Sequence, residues 1–462
     1  MNQTPAQFFD SIRDKTVAFV GVGVSHNDTI RLFARQGIQT IVCDRRDAGQ
    51  IGRELVEEFQ ALGVSLRLGE GYLNGMTADI LFRTPGLYYN HPDLISFRSR
   101  GGIVTSELEV FFDLCPCPIL AVTGSEGKTT TTTLISKILE ADGKTVHLGG
   151  NIGRALLPRI FNIRPEDFAC VELSSFQLIS MRGAPDVSVI TNITPDHLDV
   201  HASLQEYVDA KRNIYLHQNA FSRTVLGQDN DRTRTFLPEV RGEAMTFSLE
   251  TPVYNGAYLA PDGMLTLSRF GRRFPLFHKD EIRLPGLHSV ANYLAAICAT
   301  ANYADPQAAG EVARSFGGVE HRLEFVRELN GVRWYNDSIA TAPAAVIAGL
   351  RAFGQKLILI GGGSDKHLSY DELAPELVAH TKLLLLSGPT GPKIADAVRR
   401  CPGYADSPEI VMVRDVAQGV EEASKRAQSG DVVTLSPASA SFDAFLNFEE
   451  RGRHYKELVN SL

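Results

Sequence analysis

The chain contains few cysteines, and their spacing indicates neither disulfide bonds nor a zinc site. Its 462 residues include six cysteines at scattered positions, which is too few for a disulfide framework. Cys115 and Cys117 lie two residues apart in CPCP, without the second pair that would complete a zinc site. We therefore expect ordinary reduced thiols.

The sequence also lacks long apolar runs and an excess of basic residues. No run reaches the roughly 18 apolar residues of a membrane-spanning helix, and the N-terminal stretch MNQTPAQFFDSIRDK has no secretion-signal pattern. The 46 basic residues against 54 acidic ones give a net charge of −8, which disfavours nucleic acid as a partner. We expect a cytoplasmic protein that binds neither nucleic acid nor a membrane.

Alternating strand-like and helix-like stretches predict an α/β protein with three domains. A chain of this length exceeds a single hydrophobic core. Buried-strand patterns such as TVAFVGVGV alternate with amphipathic helical patterns, and the prolines of CPCP indicate a linker. We predict a Rossmann-like domain for residues 1–114, a central P-loop ATPase-type domain for 115–318 and a Rossmann-like C-terminal domain for 319–462.

The stretch AVTGSEGKTTTTT predicts a phosphate-binding loop between a strand and a helix. Gly124 and Gly127 allow backbone N–H groups to turn onto an anion. Lys128 adds a positive charge, and Thr129 can offer its hydroxyl to Mg²⁺. The helix that begins near Thr130 directs its positive end to the same place. The loop predicts nucleotide binding but leaves open which reaction uses the nucleotide.

A second glycine-containing loop, GVGVSH, follows the first predicted strand. Its glycines match the start of a dinucleotide-binding fingerprint, but His26 stands where the third glycine belongs. Asp44 ends the next strand, as a ribose-binding acid would. An NAD-dependent oxidoreductase is therefore one alternative, whereas Arg45 and Arg46 favour a diphosphate or a nucleotide sugar.

Eight motifs occur in an order that resembles the Mur ligase family of peptidoglycan synthesis. They are TGSEGKTT, GGNIG, VELSSFQL, TNITPDHLDVH, DAKRNIY, EHRLE, YNDSIAT and LSPASASFDAFLNFEERG. The resemblance covers nearly the whole chain. It implies an ATP-dependent ligase that forms an acyl phosphate and then an amide. The YNDSIAT and C-terminal motifs resemble those of the members that join D-glutamate to UDP-N-acetylmuramoyl-L-alanine.

The resemblance further implies residues for ATP, Mg²⁺ and catalysis. The implied ATP-binding residues are Gly124, Ser125, Glu126, Gly127, Lys128, Thr129, Thr130, Asn292, Arg322 and Asp337. The implied metal site consists of Thr129, Glu172, His197 and Lys211 as a carbamate, and the implied catalytic residues are Lys128, His197 and Lys211. In YVDAKRNIY a lysine is by default a surface residue, so the role of Lys211 depends on the resemblance alone.

Two more sets of residues are implied for the substrates. The nucleotide-sugar set is Val24, Ser25, Arg45, Arg46, Asn151 and Gln177, and the amino-acid set is Thr341, Lys366, Ser441 and Phe448. Phe448 and Ser441 are expected on one amphipathic helix, so packing could also explain Phe448. Ile339 replaces a lysine found in the best-known members, which removes a cation from the acceptor site, and His367 is a possible substitute. L-glutamate or another amino acid therefore remains an alternative acceptor.

Two other classes of function make different predictions. Hydride transfer leaves the phosphate loop and the rest of the chain after residue 120 without a role. A non-enzymatic nucleotide switch would bind ATP or GTP but would not need Glu172, His197 and Lys211 together. We expect a monomeric ligase that uses ATP and Mg²⁺, acts on small molecules and closes its domains to exclude water.

Overall fold

A computed structural model describes residues 3–23, 26–195, 200–366 and 368–462 of the chain. The chain forms two compact units, residues 1–277 with 291–312 and residues 278–290 with 313–462. The first unit carries two sheets and the second carries a third. The α/β class with three sheets is confirmed, and the domain boundaries near residues 114 and 318 stay predictions. In the described ranges, no helix is long and apolar enough to cross a membrane.

The first sheet is Rossmann-like. Its strands are β1 (Thr16–Val20), β2 (Gln39–Asp44), β3 (Ser65–Leu68), β4 (Ile80–Phe82) and β5 (Ile103–Thr105). The helices are α1 (Pro5–Ser11), α2 (Asn27–Arg35), α3 (Ala48–Ile51), α4 (Arg53–Ala61), α5 (Pro92–Ser99) and α6 (Glu107–Leu114). All pairings are parallel in the order β3-β2-β1-β4-β5. Because the order reverses at β1, the loops after β1 and β4 border a crevice at the carboxyl edge.

The second sheet positions the phosphate loop. Its strands are β6 (Ile119–Thr123), β7 (Val146–Gly150), β8 (Phe168–Glu172), β9 (Val187–Ile190), β10 (Arg223–Gly227), β11 (Glu243–Ser248), β12 (Gly256–Leu259), β13 (Met264–Arg269) and β14 (Arg272–His278). The α-helices along this part of the chain are α7 (Lys128–Ala141), α8 (Ser175–Leu178), α9 (Leu204–Leu216), α10 (Asp231–Arg234), α11 (Leu287–Thr300) and α12 (Gln307–Ser315). Short 3₁₀ helices span Leu157–Asn162, Leu237–Glu239 and Lys279–Glu281. The order is β14-β13-β12-β11-β10-β9-β6-β8-β7, and β12 and β13 form an antiparallel pair.

Strands β6, β8 and β9 are buried along their whole length. Parallel strands covered on both faces need nearly continuous apolar sequences, which explains the runs ILAV and FACV. Charged side chains follow where these strands end, because there the chain reaches the edge of the sheet. The carboxyl ends of β6 and β8 are neighbours, since Val122 pairs with Glu172.

The third sheet belongs to the second unit. Its strands are β15 (Glu324–Leu329), β16 (Val332–Asn336), β17 (Leu357–Gly362), β18 (Thr381–Ser387), β19 (Glu409–Met412) and β20 (Val432–Leu435). The helices are α13 (Pro343–Arg351), α14 (Leu373–His380), α15 (Gly391–Arg400), α16 (Val416–Arg426) and α17 (Phe448–Ser461). The order is β15-β16-β20-β17-β18-β19, with β15–β16 antiparallel and the other pairs parallel.

The expectation that Ser441 and Phe448 share a helix is wrong. Helix α17 begins at Phe448, because Asn447 caps it by accepting a hydrogen bond of 2.8 Å from the Glu450 amide. Ser441 therefore lies in the preceding loop.

Candidate nucleotide and ligase site

The phosphate loop joins β6 to α7 and depends on two glycines. Gly124 has a φ of 150° and Gly127 a φ of 77°, a region that side chains other than glycine rarely adopt. A Cβ atom on Gly124 would lie 1.9 Å from Thr191 Oγ1, and one on Gly127 would lie 2.4 Å from Asn292 Oδ1. Backbone conformation and close packing thus both require glycine at these positions.

Side chains from several segments hold the loop in place. Lys128 Nζ donates to the carbonyl groups of Gly124 and Ser125 at 3.0 and 2.8 Å. Ser125 Oγ lies 2.8 Å from Tyr207 Oη. The backbone N–H of Glu126 donates to Asn192 Oδ1 at 3.0 Å, while the Glu126 side chain is exposed. The loop is therefore a fixed cradle, with the positive charge of Lys128 beside it.

The first turn of α7 completes this cradle. Thr129 and Thr130 lie there half-buried, where the helix N-terminus favours an anion. Asn292 Oδ1 accepts a hydrogen bond of 3.2 Å from Thr131 Oγ1 behind the loop. The structure thus brings Asn292 to the predicted nucleotide site, where it packs beneath Gly127.

Lys211 is buried, so the default expectation of a surface lysine is wrong. It is 2% exposed on α9. Its Nζ donates to the carbonyl of Gly124 at 2.7 Å and lies 3.4 Å from Thr123 Oγ1. The same atom is 4.7 Å from the centre of the Tyr207 ring, a favourable place for a cation. Helix α9 therefore brings Lys211 to the first residue of the phosphate loop.

Glu172 supplies a carboxylate at the same edge of the sheet. It is 1% exposed at the end of β8. Its Oε1 accepts 2.8 Å from Asn151 Nδ2, while Oε2 is buried and has no hydrogen-bond partner among the described residues. A buried carboxylate oxygen without a partner is costly. The free oxygen of Glu172, Oε2, is therefore suited to binding a cation.

His197, the other implied ligand, lies outside the described residues. Within the described part of the chain, no group of three or more histidine, cysteine, aspartate or glutamate side chains is arranged as a metal site. Mg²⁺ does not need such a group, because it keeps several waters and takes one or two carboxylates together with substrate phosphates. Glu172 and Thr129 thus fit a magnesium ion bound together with a nucleotide.

A crevice between the first and second sheets contains Gln177. Gln177 lines this crevice together with His26 and Arg83, and its Oε1 accepts from the Ser174 amide at 2.8 Å in a capping box. Burial lowers the pKa of His26 to about 4, so this imidazole is neutral at ordinary pH. Asn151 lies exposed beside Glu172.

The four remaining nucleotide-sugar residues are Val24, Ser25, Arg45 and Arg46. Val24 and Ser25 lie outside the described residues. Arg45 is exposed, whereas Arg46 donates to Asp44 at 2.8 and 3.0 Å. Burial would raise the pKa of Asp44, but the donors from Arg46 and the Val22 amide outweigh it and lower that pKa. Asp44 is engaged by protein donors, which weighs against its role as the ribose acid of an NAD site.

The residues predicted to engage ATP from the C-terminal part differ in exposure. Arg322 is exposed. Asp337 is 4% exposed and accepts from Ser436 Oγ at 2.8 Å and from the Leu323 amide at 3.2 Å. Burial raises the pKa of Asp337 to about 7. Its carboxyl group therefore carries a proton in part of the molecules near neutral pH.

This shift predicts a pH dependence of stability that Asp337→Asn should reduce. From the ordinary pKa of 3.8 up to about 7, the folded state binds more protons than the unfolded state. Stability therefore falls as the pH rises through that window and levels off above it. We expect melting temperatures measured from about pH 4 to pH 8 to fall less in the variant than in the unsubstituted protein. Parallel curves would contradict the shift.

The predicted amino-acid residues also differ in exposure. Lys366 is exposed, Thr341 is half-buried and Ser441 is 3% exposed, while His367 lies outside the described residues. The Phe448 ring packs edge-on against His321 at 6.1 Å. This packing is sufficient to explain why a phenylalanine stands at position 448, whether or not it also contacts the amino acid.

Arg451 was missed by the sequence analysis. Its guanidinium is buried and donates to Ser338 O at 2.9 Å, Ser338 Oγ at 3.0 Å and the carbonyls of Ser439 and Ala440 at 3.1 Å. It thereby ties the YNDSIAT loop to the SPASAS loop. Its position in the recognised C-terminal motif, within NFEERG, could have indicated a functional or structural role. Asn192 was missed in the same way inside TNITPDHLDVH, and Tyr207 lies two residues before the motif DAKRNIY.

The α/β fold, the hydrogen-bonded phosphate loop and the buried Lys211 and Glu172 beside it are typical of a nucleotide-dependent enzyme. Residues 122–300 match the family described as Mur ligase middle domain, and residues 321–439 match Mur ligase, glutamate ligase domain. The chain belongs to the Mur ligase family. The family consists of ATP-dependent ligases, and the phosphate loop fits the use of ATP. The alternatives of hydride transfer and a non-enzymatic nucleotide switch are therefore rejected.

Individual relatives agree with this assignment. The UDP-N-acetylmuramoylalanine–D-glutamate ligase of Acetivibrio thermocellus is 46% identical over 100% of both chains. That of Ruminiclostridium cellulolyticum is 42% identical, also over 100% of both. The crystal structure of UDP-N-acetylmuramate-alanine ligase MurC from Thermotoga maritima superposes with a TM-score of 0.58 at 17% identity, covering 97% of this chain and 99% of that one. This structural likeness shows the fold.

Proposed function

We propose that this chain joins D-glutamate to UDP-N-acetylmuramoyl-L-alanine with ATP, as a monomer in the cytoplasm, for peptidoglycan precursor synthesis. The observation that carries the ligase chemistry is the placement of Lys211 and Glu172 beside the phosphate loop. The identity of the two substrates, the nucleotide sugar and D-glutamate, is inferred from the names of full-length relatives at 46% and 42% identity.

The proposed reaction has two steps. An oxygen of the substrate carboxylate bonds to the γ-phosphorus of ATP as the bond to the β-phosphate oxygen breaks, which gives an acyl phosphate and ADP. The amino nitrogen of the acceptor then attacks the acyl carbon, loses a proton and displaces inorganic phosphate. The first step brings two anions together, so positive groups must stabilise the transition state.

The predicted site residues have distinct roles in this proposal. The loop N–H groups and the N-terminus of α7 bind the phosphates, and Lys128 neutralises part of their charge. Asn292, Arg322 and Asp337 bind other parts of ATP. Arg45, Arg46, Asn151 and Gln177 bind the nucleotide sugar with Val24 and Ser25. Thr341, Lys366, Ser441 and Phe448 form the acceptor pocket.

Glu172 and Thr129 would hold Mg²⁺, together with His197 and a carbamate on Lys211. The ion supplies positive charge between the phosphates and the incoming carboxylate when it is bound. Carbamate formation would convert the buried ammonium of Lys211 into an anionic oxygen ligand. The unpartnered Oε2 atom of Glu172 supports the presence of a cation.

Substituting Glu172 by glutamine tests this metal assignment. The change keeps the side-chain size and the contact with Asn151 but removes the negative charge. We expect the Mg²⁺ concentration for half-maximal phosphate release to rise by roughly tenfold to 100-fold, in line with the cost of altered metal-site residues. The melting temperature without Mg²⁺ should not fall, because an uncompensated buried charge is removed. An unchanged Mg²⁺ titration would contradict the assignment.

The acceptor is tested by phosphate release with the nucleotide sugar, ATP and one amino acid at a time. D-glutamate, L-glutamate, D-aspartate and D-lysine differ in configuration, length and charge. We expect turnover with D-glutamate to exceed that with each of the others. Ile339 is half-buried and cannot pair with a carboxylate, which favours another acceptor as the alternative. Turnover with L-glutamate alone would refute the D-glutamate assignment while preserving the chemistry.

A further inference from the structure

Arg83 is a buried arginine that connects the first sheet to the second. It follows β4 directly and is 1% exposed. Its Nη2 donates to the carbonyl of Phe176 and to Ser180 Oγ, both at 2.8 Å. These acceptors lie in α8 and just after it, so one guanidinium links the end of β4 to α8.

Burying the charge of Arg83 in this link costs free energy of folding. Burial lowers the pKa of Arg83, because removing a charge from water is unfavourable. Its Nε atom is buried without a hydrogen-bond partner in the described part of the chain. Burial also raises the pKa of the nearby Glu109, against the influence of Arg83. An apolar side chain could fill such a space at lower cost, so packing alone does not explain Arg83.

The helix that Arg83 holds carries a predicted substrate residue. Gln177 lies in α8 between the Phe176 carbonyl and Ser180, and it lines the same crevice as Arg83. Gly150 and Gly153 form another part of that crevice. A shift of α8 would therefore move the Gln177 amide within the crevice.

The same helix also contacts the phosphate loop indirectly. The Phe176 ring stacks on His201 with centroids 5.0 Å apart, and His201 packs edge-on against Tyr207 at 5.4 Å. The Tyr207 hydroxyl in turn lies 2.8 Å from Ser125 Oγ. These contacts reach the loop only at Ser125, and Lys128 and Asn192 hold the loop independently of α8.

We propose that Arg83 is a positioning residue that fixes α8, and with it Gln177, for binding of the nucleotide-sugar substrate. This inference rests on the proposed function. Both hydrogen bonds come from Nη2, so methionine at this position removes both, whereas the ammonium of lysine keeps the charge and can still donate. Arg83 therefore affects the affinity for the nucleotide sugar. The affinity for ATP depends on the phosphate loop and not on Arg83.

The test compares Arg83→Met and Arg83→Lys with Arg223→Lys. Arg223 is a matched control, because it is also buried but lies at the amino end of β10 and pairs with Glu243 at 2.8 Å. In Arg83→Met we expect the KM for UDP-N-acetylmuramoyl-L-alanine to rise by about tenfold or more, with the KM for ATP unchanged. Arg83→Lys should give a smaller rise, and Arg223→Lys should leave both KM values unchanged. Equal rises in both KM values for Arg83→Met would overturn the proposal.

Hydrogen exchange without substrates separates this inference from the proposed function. We expect Arg83→Met to speed amide exchange in residues 174–181 and to leave residues 124–131 unchanged. Unchanged exchange in 174–181 would overturn the role of Arg83. If the unsubstituted protein shows no turnover with the nucleotide sugar, the proposed function fails, and the exchange result alone then decides whether Arg83 fixes α8.

Discussion

Replacing Lys211 by alanine should lower ATP-dependent phosphate release by about a thousandfold, the upper range for losing one group that stabilises transition-state charge. The Nζ atom of Lys211 lies 2.7 Å from the carbonyl of Gly124, so the substitution removes a charge at the start of the phosphate loop. Lys137→Ala is the control, because Lys137 lies on α7 with its side chain at the surface, paired with Glu140. The control should retain nearly full activity.

Short carboxylic acids distinguish two roles of Lys211. If Lys211 acts as a carbamate, formate or acetate should restore part of the activity of Lys211→Ala by supplying the missing oxygen ligand. If it acts only as an ammonium that anchors Gly124, these acids should have no effect and the affinity for ATP should fall. Near-normal activity of Lys211→Ala would contradict both roles.

Gly124→Ala should strongly weaken nucleotide binding. The new Cβ would lie 1.9 Å from Thr191 Oγ1 and 3.2 Å from the Asn192 carbonyl, and the φ of 150° disfavours alanine. Strain and overpacking together cost about 3 kcal/mol. If the loop moves to relieve them, the dissociation constant for ATP should rise by roughly 100-fold. Isothermal titration calorimetry measures this directly.

Gly354→Ala is the control for that substitution. Gly354 is exposed, and a Cβ there has nothing within 4 Å. Its affinity for ATP should match that of the unsubstituted protein. A dissociation constant for Gly124→Ala within twofold of the control would show that the loop does not need this conformation. The melting temperature of each variant checks that a loss of binding is not a loss of folding.

The strands and the phosphate loop were predictable because their signals are local. The apolar runs of β6 and β8 are continuous, since both faces of a central parallel strand are covered. The glycines, the lysine and the helix that follows them are adjacent in sequence. The order of motifs then placed the chain in its family, although nothing in the spacing alone specified a ligase.

The burial of Lys211 and the link made by Arg83 could not be predicted in the same way. Which face of α9 is buried depends on how that helix packs on the sheet, and YVDAKRNIY has polar residues on several sides. Arg83 contacts Phe176 and Ser180, which lie more than 90 positions later in the chain. These contacts depend on the first and second sheets packing together. The prediction that Ser441 and Phe448 share a helix was wrong for a local reason. Asn447 caps α17, so the helix begins only at Phe448.

Transfer of oxygen from substrate to phosphate tests the central claim most directly. UDP-N-acetylmuramoyl-L-alanine labelled with oxygen-18 in its free carboxylate would be turned over with ATP and D-glutamate. The proposed acyl phosphate predicts that one labelled oxygen per amide bond appears in the released inorganic phosphate. Amide formation with only unlabelled phosphate would contradict the acyl phosphate route.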